Sequence, residues 1–162
     1  MSKIKFTGIM PALVTPLEKN GKIRIAAVNR LVDDQLKAGV DGFYVLGGTG
    51  EGVLLNPEQR KIMAEAVISA NAGRGKVIVH TGSIHGRETL ELTRHATDAG
   101  ADGISSVLPS IYFGYTMEEM TGFYQDMASN TSLPILVYAN HTGSGVDINR
   151  MVEELLKVEN IV

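Results

Sequence analysis

The sequence Ala-Gly-Val-Asp-Gly at residues 38–42 is repeated, with one substitution, as Ala-Gly-Ala-Asp-Gly at residues 99–103, about sixty residues later. Each copy follows a stretch with apolar residues at helical spacing and precedes a short β-rich run. The first glycine of each copy, Gly39 or Gly100, is placed to end a helix in the left-handed conformation. The repeat therefore predicts two helix-to-strand junctions, separated by two βα units of roughly thirty residues each.

Five short runs typical of strands alternate with five helical patterns along the chain. The predicted strands cover residues 9–14, 42–46, 77–80, 103–108 and 135–138. The predicted helices cover residues 25–38, 57–70, 87–99, a segment that Thr116 begins, and 147–158. At the end of the chain, Asn-Ile-Val at residues 160–162 predicts the start of a sixth strand.

This order of elements predicts an α/β fold: a partial TIM (β/α)8 barrel with the first five βα units and the start of a sixth strand. A closed barrel needs about 250 residues, whereas this chain has 162. We therefore expect residues 1–162 to be the N-terminal five-eighths of a single TIM-barrel domain, with the remainder of the barrel absent from this chain. The competing architecture is a complete five-stranded doubly wound sheet, which fits the length without truncation.

The composition is that of one globular domain, with 44% hydrophobic and 20% charged residues. A net charge of −3 gives no electrostatic reason to expect a nucleic acid or a membrane surface as partner. The absence of cysteine excludes disulfides, thiolate metal sites and thiol nucleophiles. No stretch is apolar for long enough to predict a signal peptide or a membrane span, so we expect a cytoplasmic protein.

The loops that follow the predicted strands are polar, as expected for the functional face of a parallel α/β fold. The turn at residues 47–51, Gly-Gly-Thr-Gly-Glu, offers successive backbone amides that suit a carboxylate or phosphate oxygen. It does not match a dinucleotide-binding fingerprint, because Val53 stands where the third glycine would be. A tight turn without a ligand is the alternative interpretation.

Two other side-chain types at strand ends could carry chemistry. Tyr138 ends an apolar strand, where its phenol could move a proton, or could plug the mouth of a barrel with its hydroxyl satisfied. His80 and His141 could approach each other as metal ligands, but no third ligand stands at a recognisable spacing. Buried, hydrogen-bonded histidines explain them better, and we predict no metal site.

These motifs together resemble one known family, the class I aldolases that include N-acetylneuraminate lyase and dihydrodipicolinate synthase. The resemblance covers the whole chain and is carried by residues 11–16 (PALVTP), 41–45 (DGFYV), 47–51 (GGTGE), 109–112 (PSIY), 136–138 (LVY) and 144–146 (SGV). It implies an eight-stranded barrel that binds a 2-keto acid as a Schiff base on a lysine at the end of strand six. No other cofactor is implied.

The resemblance also implies roles for individual residues. Gly48 and Thr49 would hold the substrate carboxylate, and Tyr138 would be the catalytic proton shuttle. Tyr112 matches a catalytic tyrosine that, in the synthase branch, reaches into a neighbouring subunit, so we expect a homo-oligomer. The partner is a small-molecule 2-keto acid with a pyruvate moiety.

Three departures from the family pattern guide the choice of reaction. Gly48 replaces the usual serine or threonine, and Tyr138-Ala139-Asn140-His141 replaces Tyr-Asn-x-Pro. Gly143 stands where the synthase branch has an arginine for its second substrate. We therefore favour a lyase-like aldolase that cleaves a sugar-derived 2-keto acid and releases pyruvate. A synthase-like or other 2-keto-acid aldolase or dehydratase, and a non-catalytic regulatory 2-keto-acid binder, are the alternatives.

The largest departure from the family pattern is the absence of the lysine nucleophile. None of the eight lysines lies at the carboxyl end of a predicted strand. The lysine that the resemblance implies would lie a few residues beyond Val162. We therefore expect this chain by itself to be catalytically inactive, with the activity belonging to a longer parent protein.

Overall fold

A computed structural model describes residues 6–108, 114–139 and 147–162. In this part of the chain four parallel strands alternate with five α-helices and one 3₁₀ turn. In chain order they are α1 Ile25–Lys37, β1 Gly42–Val45, the 3₁₀ turn Gly52–Leu54, α2 Pro57–Asn71, β2 Lys76–His80, α3 Gly86–Asp98, β3 Gly103–Val107, α4 Met117–Ala128, β4 Ile135–Tyr138 and α5 Ile148–Leu155.

The winding of the chain distinguishes the two architectures considered above. The strands lie in the order β1-β2-β3-β4, and each helix packs against the next one along the chain. A doubly wound sheet has helices on both faces and a strand order that reverses at a switch point. The described part of the chain has neither feature, so the partial-barrel prediction is confirmed and the doubly wound sheet is wrong.

The segment at residues 9–14 is less regular than predicted. It runs parallel to β1 but forms only one isolated bridge, between Ala12 and Tyr44. The N–H of Leu13 donates to the Tyr44 carbonyl at 2.9 Å, and the N–H of Tyr44 donates to the Pro11 carbonyl at 3.0 Å. Pro11 has no N–H of its own, so this segment cannot complete a regular ladder.

The opposite edge of the sheet carries the predicted start of a sixth strand. Ile161 forms a parallel bridge with Ile135 of β4. The N–H of Ile135 donates to the Asn160 carbonyl at 2.7 Å, and the N–H of Val162 donates to the Ile135 carbonyl at 3.0 Å. The sheet therefore continues in sequence order beyond β4.

Most predicted boundaries agree with the structure to within one or two residues, and the exceptions have local causes. β1 ends at Val45 because Leu46 has a φ of 65°, which turns the backbone out of the strand. Thr116 caps α4 as predicted, since its side chain accepts from the N–H of Glu119. α5 spans Ile148–Leu155, shorter than predicted, with Asp147 as its N-terminal cap.

The repeated sequence forms the same helix end twice. In the first copy the N–H of Gly39 donates to the Leu36 carbonyl at 3.0 Å, and the N–H of Val40 donates to the Gln35 carbonyl at 3.4 Å. These two bonds define a Schellman motif, which requires positive φ at the residue after the cap. Gly39 has a φ of 89°, and Gly100 repeats the arrangement with a φ of 91°.

The aspartate of each copy then joins two neighbouring backbone segments. Asp41 donates its N–H to the Ile9 carbonyl at 2.9 Å, and its carboxylate accepts the N–H of Ile9 at 2.7 Å. Asp102 does the same to Val77, with both distances 2.9 Å. The Asp102 carboxylate also pairs with Lys76 at 2.6 Å. Each aspartate therefore fixes the register of adjacent parallel segments at their amino ends.

The two faces of the sheet differ in character, because successive strand side chains alternate between them. One face packs against the helices and forms the main apolar core, with the buried strand residues Phe43, Val45, Val77, Val79, Ile104 and Ile135. The other, inner face carries Tyr44, Ile78, His80, Ser105, Leu136 and Tyr138. At the amino end of the inner face the Phe6 ring lies against Gly103, where an added Cβ would be 2.6 Å from the ring.

His80 lies buried at the carboxyl end of β2. Its Nε2 accepts the N–H of Val107 at 3.1 Å, so the ring proton is on Nδ1. The Arg60 guanidinium donates to the His80 carbonyl at 3.0 Å. Burial, together with the positive charge of Arg60, lowers the pKa of His80 to about 4. His80 is therefore neutral, and its Nε2 is occupied by a backbone N–H.

Within residues 6–108, 114–139 and 147–162, no group of three or more His, Cys, Asp or Glu side chains is arranged to hold a metal ion. His141, the other histidine considered as a ligand, lies outside the described residues. No helix in the described part of the chain is long and apolar enough to cross a membrane.

Removing the Asp102 carboxylate tests its role in strand register. Asp102→Ala leaves the N–H of Val77 without its acceptor, and we expect the free energy of unfolding in urea to fall by about 1–3 kcal/mol. Asp102→Asn keeps one side-chain oxygen and should lose less. Asp98→Ala, at an exposed position of α3, is the control and should change stability by less than about 0.5 kcal/mol. Equal losses for Asp102→Ala and Asp98→Ala would contradict the role in register.

The buried His80 also predicts a pH dependence of stability. Its pKa is about 4 in the folded chain and 6.5 when unperturbed, so the unfolded chain takes up the proton first as the pH falls. We expect the free energy of unfolding to decrease from pH 6.5 towards pH 4 by roughly 1 kcal/mol per pH unit. His80→Asn should flatten this slope, whereas His85→Asn, at an exposed position, should keep it. Identical slopes in the wild type and His80→Asn would refute the assignment.

Candidate active site

A cavity of about 520 Å³ opens at the carboxyl ends of the strands, on the inner face of the sheet. Its polar lining comes from the turn after β1 and from the inner-face side chains Tyr44, His80 and Tyr138. Gly48 and Thr49 of the turn lie at this cavity, so the structure brings together three of the four site residues that the sequence predicts. The fourth, Tyr112, lies outside the described residues.

The turn after β1 is tightly bent. Leu46 and Glu51 have φ values of 65° and 52°, which non-glycine residues rarely adopt. The N–H of Glu51 donates to the Gly48 carbonyl at 3.0 Å, and the N–H of Gly52 donates to the Gly47 carbonyl at 3.2 Å. A Cβ on Gly52 would overlap the Leu46 carbonyl oxygen. These contacts hold the backbone of residues 46–52 in one compact shape.

Gly48 and Thr49 present unused hydrogen-bond donors at the cavity. Both residues are exposed, and their N–H groups bond to no other residue in the described part of the chain. Adjacent unpaired amides of this kind are a common binding site for carboxylate or phosphate oxygens. A Cβ on Gly48 would meet nothing within 4 Å, and its φ lies outside the left-handed region. The turn can therefore bind an anion through backbone alone, and position 48 has room for a side chain.

Tyr138, the last residue of β4, is 51% exposed at the cavity. No described residue forms a hydrogen bond with its hydroxyl. Among the described residues, the hydroxyl is therefore left for a ligand. Ala139 follows it in the described chain, and the altered loop residues Asn140 and His141 lie outside the described residues.

Two inner-face residues of the site were not predicted from the sequence. The Tyr44 hydroxyl lies 3.1 Å from Ser105 Oγ, and Ser105 Oγ donates to the Leu136 carbonyl at 3.0 Å. The Tyr44 ring lies beside that of His80, with ring centroids 6.4 Å apart. Burial raises the pKa of Tyr44, and Tyr138 adds to this effect, while the hydrogen bond with Ser105 opposes it. Tyr44 is therefore a neutral phenol at neutral pH.

A signal for these residues was present in the sequence. Tyr44 and Ser105 interrupt apolar strands at positions whose neighbours, Phe43 and Ile104, face the helices. A polar residue at the alternate position of a buried strand points to the other face, which indicates a polar interior at that height.

The described site can bind an acid and exchange a proton, but it contains no amine nucleophile. No lysine lines the cavity or ends a strand in the described part of the chain. Lys76 begins β2 and pairs with Asp102 at the opposite end of the strands. The donors at Gly48 and Thr49 and the phenol of Tyr138 fit a carboxylate ligand that also carries an exchangeable proton.

Comparison with known proteins places this geometry in a family. N-acetylneuraminate lyase from Rhizobium meliloti (strain 1021) is 35% identical over 160 residues, which are 98% of this chain and 53% of that protein. 4-Hydroxy-tetrahydrodipicolinate synthase from Syntrophus aciditrophicus (strain SB) is 38% identical over 158 residues, 97% of this chain and 54% of that protein. This chain thus spans about half the length of the curated relatives it matches.

Solved structures agree with the sequence comparison. The crystal structure of YagE from Escherichia coli K12 in complex with pyruvate has a TM-score of 0.88 and 35% identity, and the match covers 94% of this chain and 51% of that one. YagE is described as a prophage protein of the dihydrodipicolinic acid synthase family. The Dihydrodipicolinate synthetase family matches residues 5–162. The chain therefore belongs to the dihydrodipicolinate synthetase family of lyases and aldolases.

Proposed function

We propose that this chain is the carboxylate-binding part of a lyase-type aldolase that cleaves a sugar-derived 2-keto acid and releases pyruvate. The observation that carries the proposal is the cavity shared by the unpaired N–H groups of Gly48 and Thr49 and the hydroxyl of Tyr138. The names of relatives support the reaction class, since they include an N-acetylneuraminate lyase and a putative 2-dehydro-3-deoxy-D-gluconate aldolase. The pyruvate in the YagE structure supports the ligand class.

The proposed roles follow from the chemistry of the groups. Backbone N–H groups at Gly48 and Thr49 hold the substrate carboxylate, which places the neighbouring keto carbon above the inner face of the sheet. Tyr138 accepts the proton of the substrate hydroxyl and passes its own phenolic proton to the bound carboxylate, as the carbon–carbon bond breaks and the aldehyde forms. A lysine amine would supply the Schiff base that stores the electrons of that bond.

We propose that this lysine lies outside residues 1–162, and that these residues are the N-terminal five-eighths of a single barrel domain. Two observations support this. The chain spans about half of each matched relative. The lysines in the described part lie on helices, on loops or at the start of β2, away from the carboxyl ends of β1 to β4.

A non-catalytic 2-keto-acid binder is a second candidate, and Gly48 favours it. Glycine at this position leaves the turn without the hydroxyl that the family pattern places beside the tyrosine equivalent to Tyr138, at the end of β4. Binding of the carboxylate needs only backbone N–H groups, so this change would spare binding and remove a partner for proton transfer. Both candidates predict pyruvate binding, and only the aldolase predicts covalent trapping.

Borohydride reduction in the presence of pyruvate separates the two candidates. For the full-length gene product that contains these residues, we expect intact-mass spectrometry to show one reduced pyruvate adduct, on a lysine outside residues 1–162. The 162-residue chain alone should bind pyruvate, detected by ligand NMR, without forming the adduct. An adduct on one of its eight lysines would contradict the domain proposal. If the full-length protein formed no adduct, the aldolase proposal would be excluded and the non-catalytic 2-keto-acid binder would remain.

Restoring a hydroxyl at position 48 tests the turn. Because a Cβ there meets nothing within 4 Å, Gly48→Ser should fold normally and keep its affinity for pyruvate. We expect it to raise kcat of the full-length protein by about 3-fold or more, since it supplies a proton-transfer partner. Gly48→Ala is the control for added volume and should leave kcat unchanged. Equal kcat values for the serine and alanine variants would show that the missing hydroxyl does not limit turnover.

A further inference from the structure

His80 lies where the pairing between two strands ends. β2 is paired with β3 as far as His80 and Ser105, whereas β3 is paired with β4 as far as Val107 and Tyr138. β3 therefore extends two residues further along β4 than along β2. Beyond Ser105, the edge of β3 that faces β2 has no paired strand beside it.

The His80 ring supplies the acceptor that β2 no longer provides. The N–H and C=O groups of a strand alternate in direction, and the Ser105 carbonyl accepts the N–H of Thr81 on the β2 side at 2.9 Å. The N–H of Val107, two residues later, points to the same side and donates to His80 Nε2 at 3.1 Å. A side chain of β2 thus takes the place of a backbone carbonyl and continues the connection between the two strands.

Both the ring and the backbone of His80 are held in place. The side chain is only 3% exposed, and the chain leaves β2 close beside it. A Cβ on Gly82 would lie 3.1 Å from His80 Nε2 and would overlap Ser106 Oγ. The His80 carbonyl accepts from the guanidinium of Arg60, which is itself 2% exposed. Removing the ring nitrogen would therefore leave the N–H of Val107 unpaired beside a packed interior, which costs free energy.

Tyr138 depends on its backbone for its position. Its hydroxyl forms no hydrogen bond with a described residue, and its side chain is 51% exposed at the cavity. The phenol is therefore placed by the end of β4, and that end is paired with the end of β3 at Val107. His80, Val107 and Tyr138 all line the same cavity.

We propose that His80 is a positioning residue for Tyr138: by accepting the N–H of Val107, it fixes the end of β3 and, through the strand pairing, the end of β4 that carries the phenol. The proposal rests on the proposed function, in which Tyr138 exchanges a proton with the substrate. His80 acts through the backbone and exchanges no proton itself. Its Nε2 has to remain an acceptor, which the neutral ring provides.

Two amide variants separate the hydrogen bond to Val107 from polarity at position 80. The side-chain oxygen of His80→Gln lies about as far along the side chain as Nε2 and can accept the N–H of Val107. The oxygen of His80→Asn lies at the position of Nδ1 and falls short of Val107. Both variants remove the titratable ring, so a difference between them reports the hydrogen bond alone.

The first experiment is amide hydrogen exchange followed by NMR on the 162-residue chain. We expect His80→Asn to speed exchange at the N–H groups of Val107 and Tyr138 by about 10-fold or more, and at Ile104 of β3 by less. His80→Gln should keep the wild-type rates to within about 3-fold. Equal rates at Val107 in the two variants, or faster exchange at Val107 with none at Tyr138, would overturn the proposal.

The second experiment measures turnover of the full-length protein. We expect His80→Asn to lower kcat by about 10-fold or more while KM for the keto acid changes by less than about 2-fold, because Gly48 and Thr49 bind the carboxylate independently. His80→Gln should recover kcat to within about 3-fold of the wild type. The same kcat in both variants, or a loss that appears in KM instead, would refute the positioning role.

Thr93→Val is the matched control. The fully buried Thr93 hydroxyl of α3 lies 2.9 Å from the hydroxyl of Thr81, the residue after His80. Removing this bond should lower stability while leaving kcat unchanged. A fall in kcat as large as that of His80→Asn would show that any loosening after β2 disturbs the site, and would overturn the specific role of His80. If the wild-type protein forms no pyruvate adduct, the proposed function fails, and the exchange experiment still decides whether His80 holds Val107 and Tyr138 in place.

Discussion

The hydrogen bond between an aspartate carboxylate and a backbone N–H near the start of the neighbouring parallel segment sets the register on which the rest of this structure depends. Parallel strands have no tight hairpin to fix their alignment, so the alignment must come from side chains or from loops. Asp41 and Asp102 provide it at the amino ends of β1 and β3. A shift by one residue would exchange the two faces of every strand, sending Tyr44 towards the helices and Phe43 into the cavity. The position of the site at one end therefore follows from contacts at the other.

The two faces of the sheet have different roles: the helix-facing side forms the apolar core, and the inner face carries the polar groups of the site. The helix-facing side is largely apolar and buried, and it stabilises the sheet against α1 to α5. Its buried polar residues include Ser106 on β3 and Tyr124 on α4, whose hydroxyl donates to the Ser106 carbonyl. The inner face instead carries polar groups below the cavity that bond to specific partners: Tyr44 to Ser105, Ser105 to Leu136, and His80 Nε2 to Val107. Buried polar groups are tolerated only when such bonds are made. The same bonds that make the interior stable also orient the groups around the cavity.

The sequence allowed much of this to be anticipated where the determinants are local. The repeat, the cap at Thr116 and the strand at residues 135–138 depend on short-range rules, and all three appear in the structure. The meeting of Gly48, Thr49 and Tyr138 at one cavity was anticipated because the loops that follow parallel strands lie at the same face of the sheet. The bond between Tyr44 and Ser105 was not anticipated, because the two residues are separated by 61 positions and by an intervening strand. Pairings of that kind depend on sheet twist and ring orientation, which composition and periodicity do not encode.

Phe6 closes the amino end of the inner face, and this has a consequence for how the interior exchanges with solvent. Its ring lies against Gly103, and Ile78 above it is only 3% exposed, so the base of the inner face is dry. Water therefore does not approach the hydroxyls of Tyr44 and Ser105 from the amino end of the sheet. Exchange of their protons with solvent takes place on the cavity side, where a bound ligand would slow it.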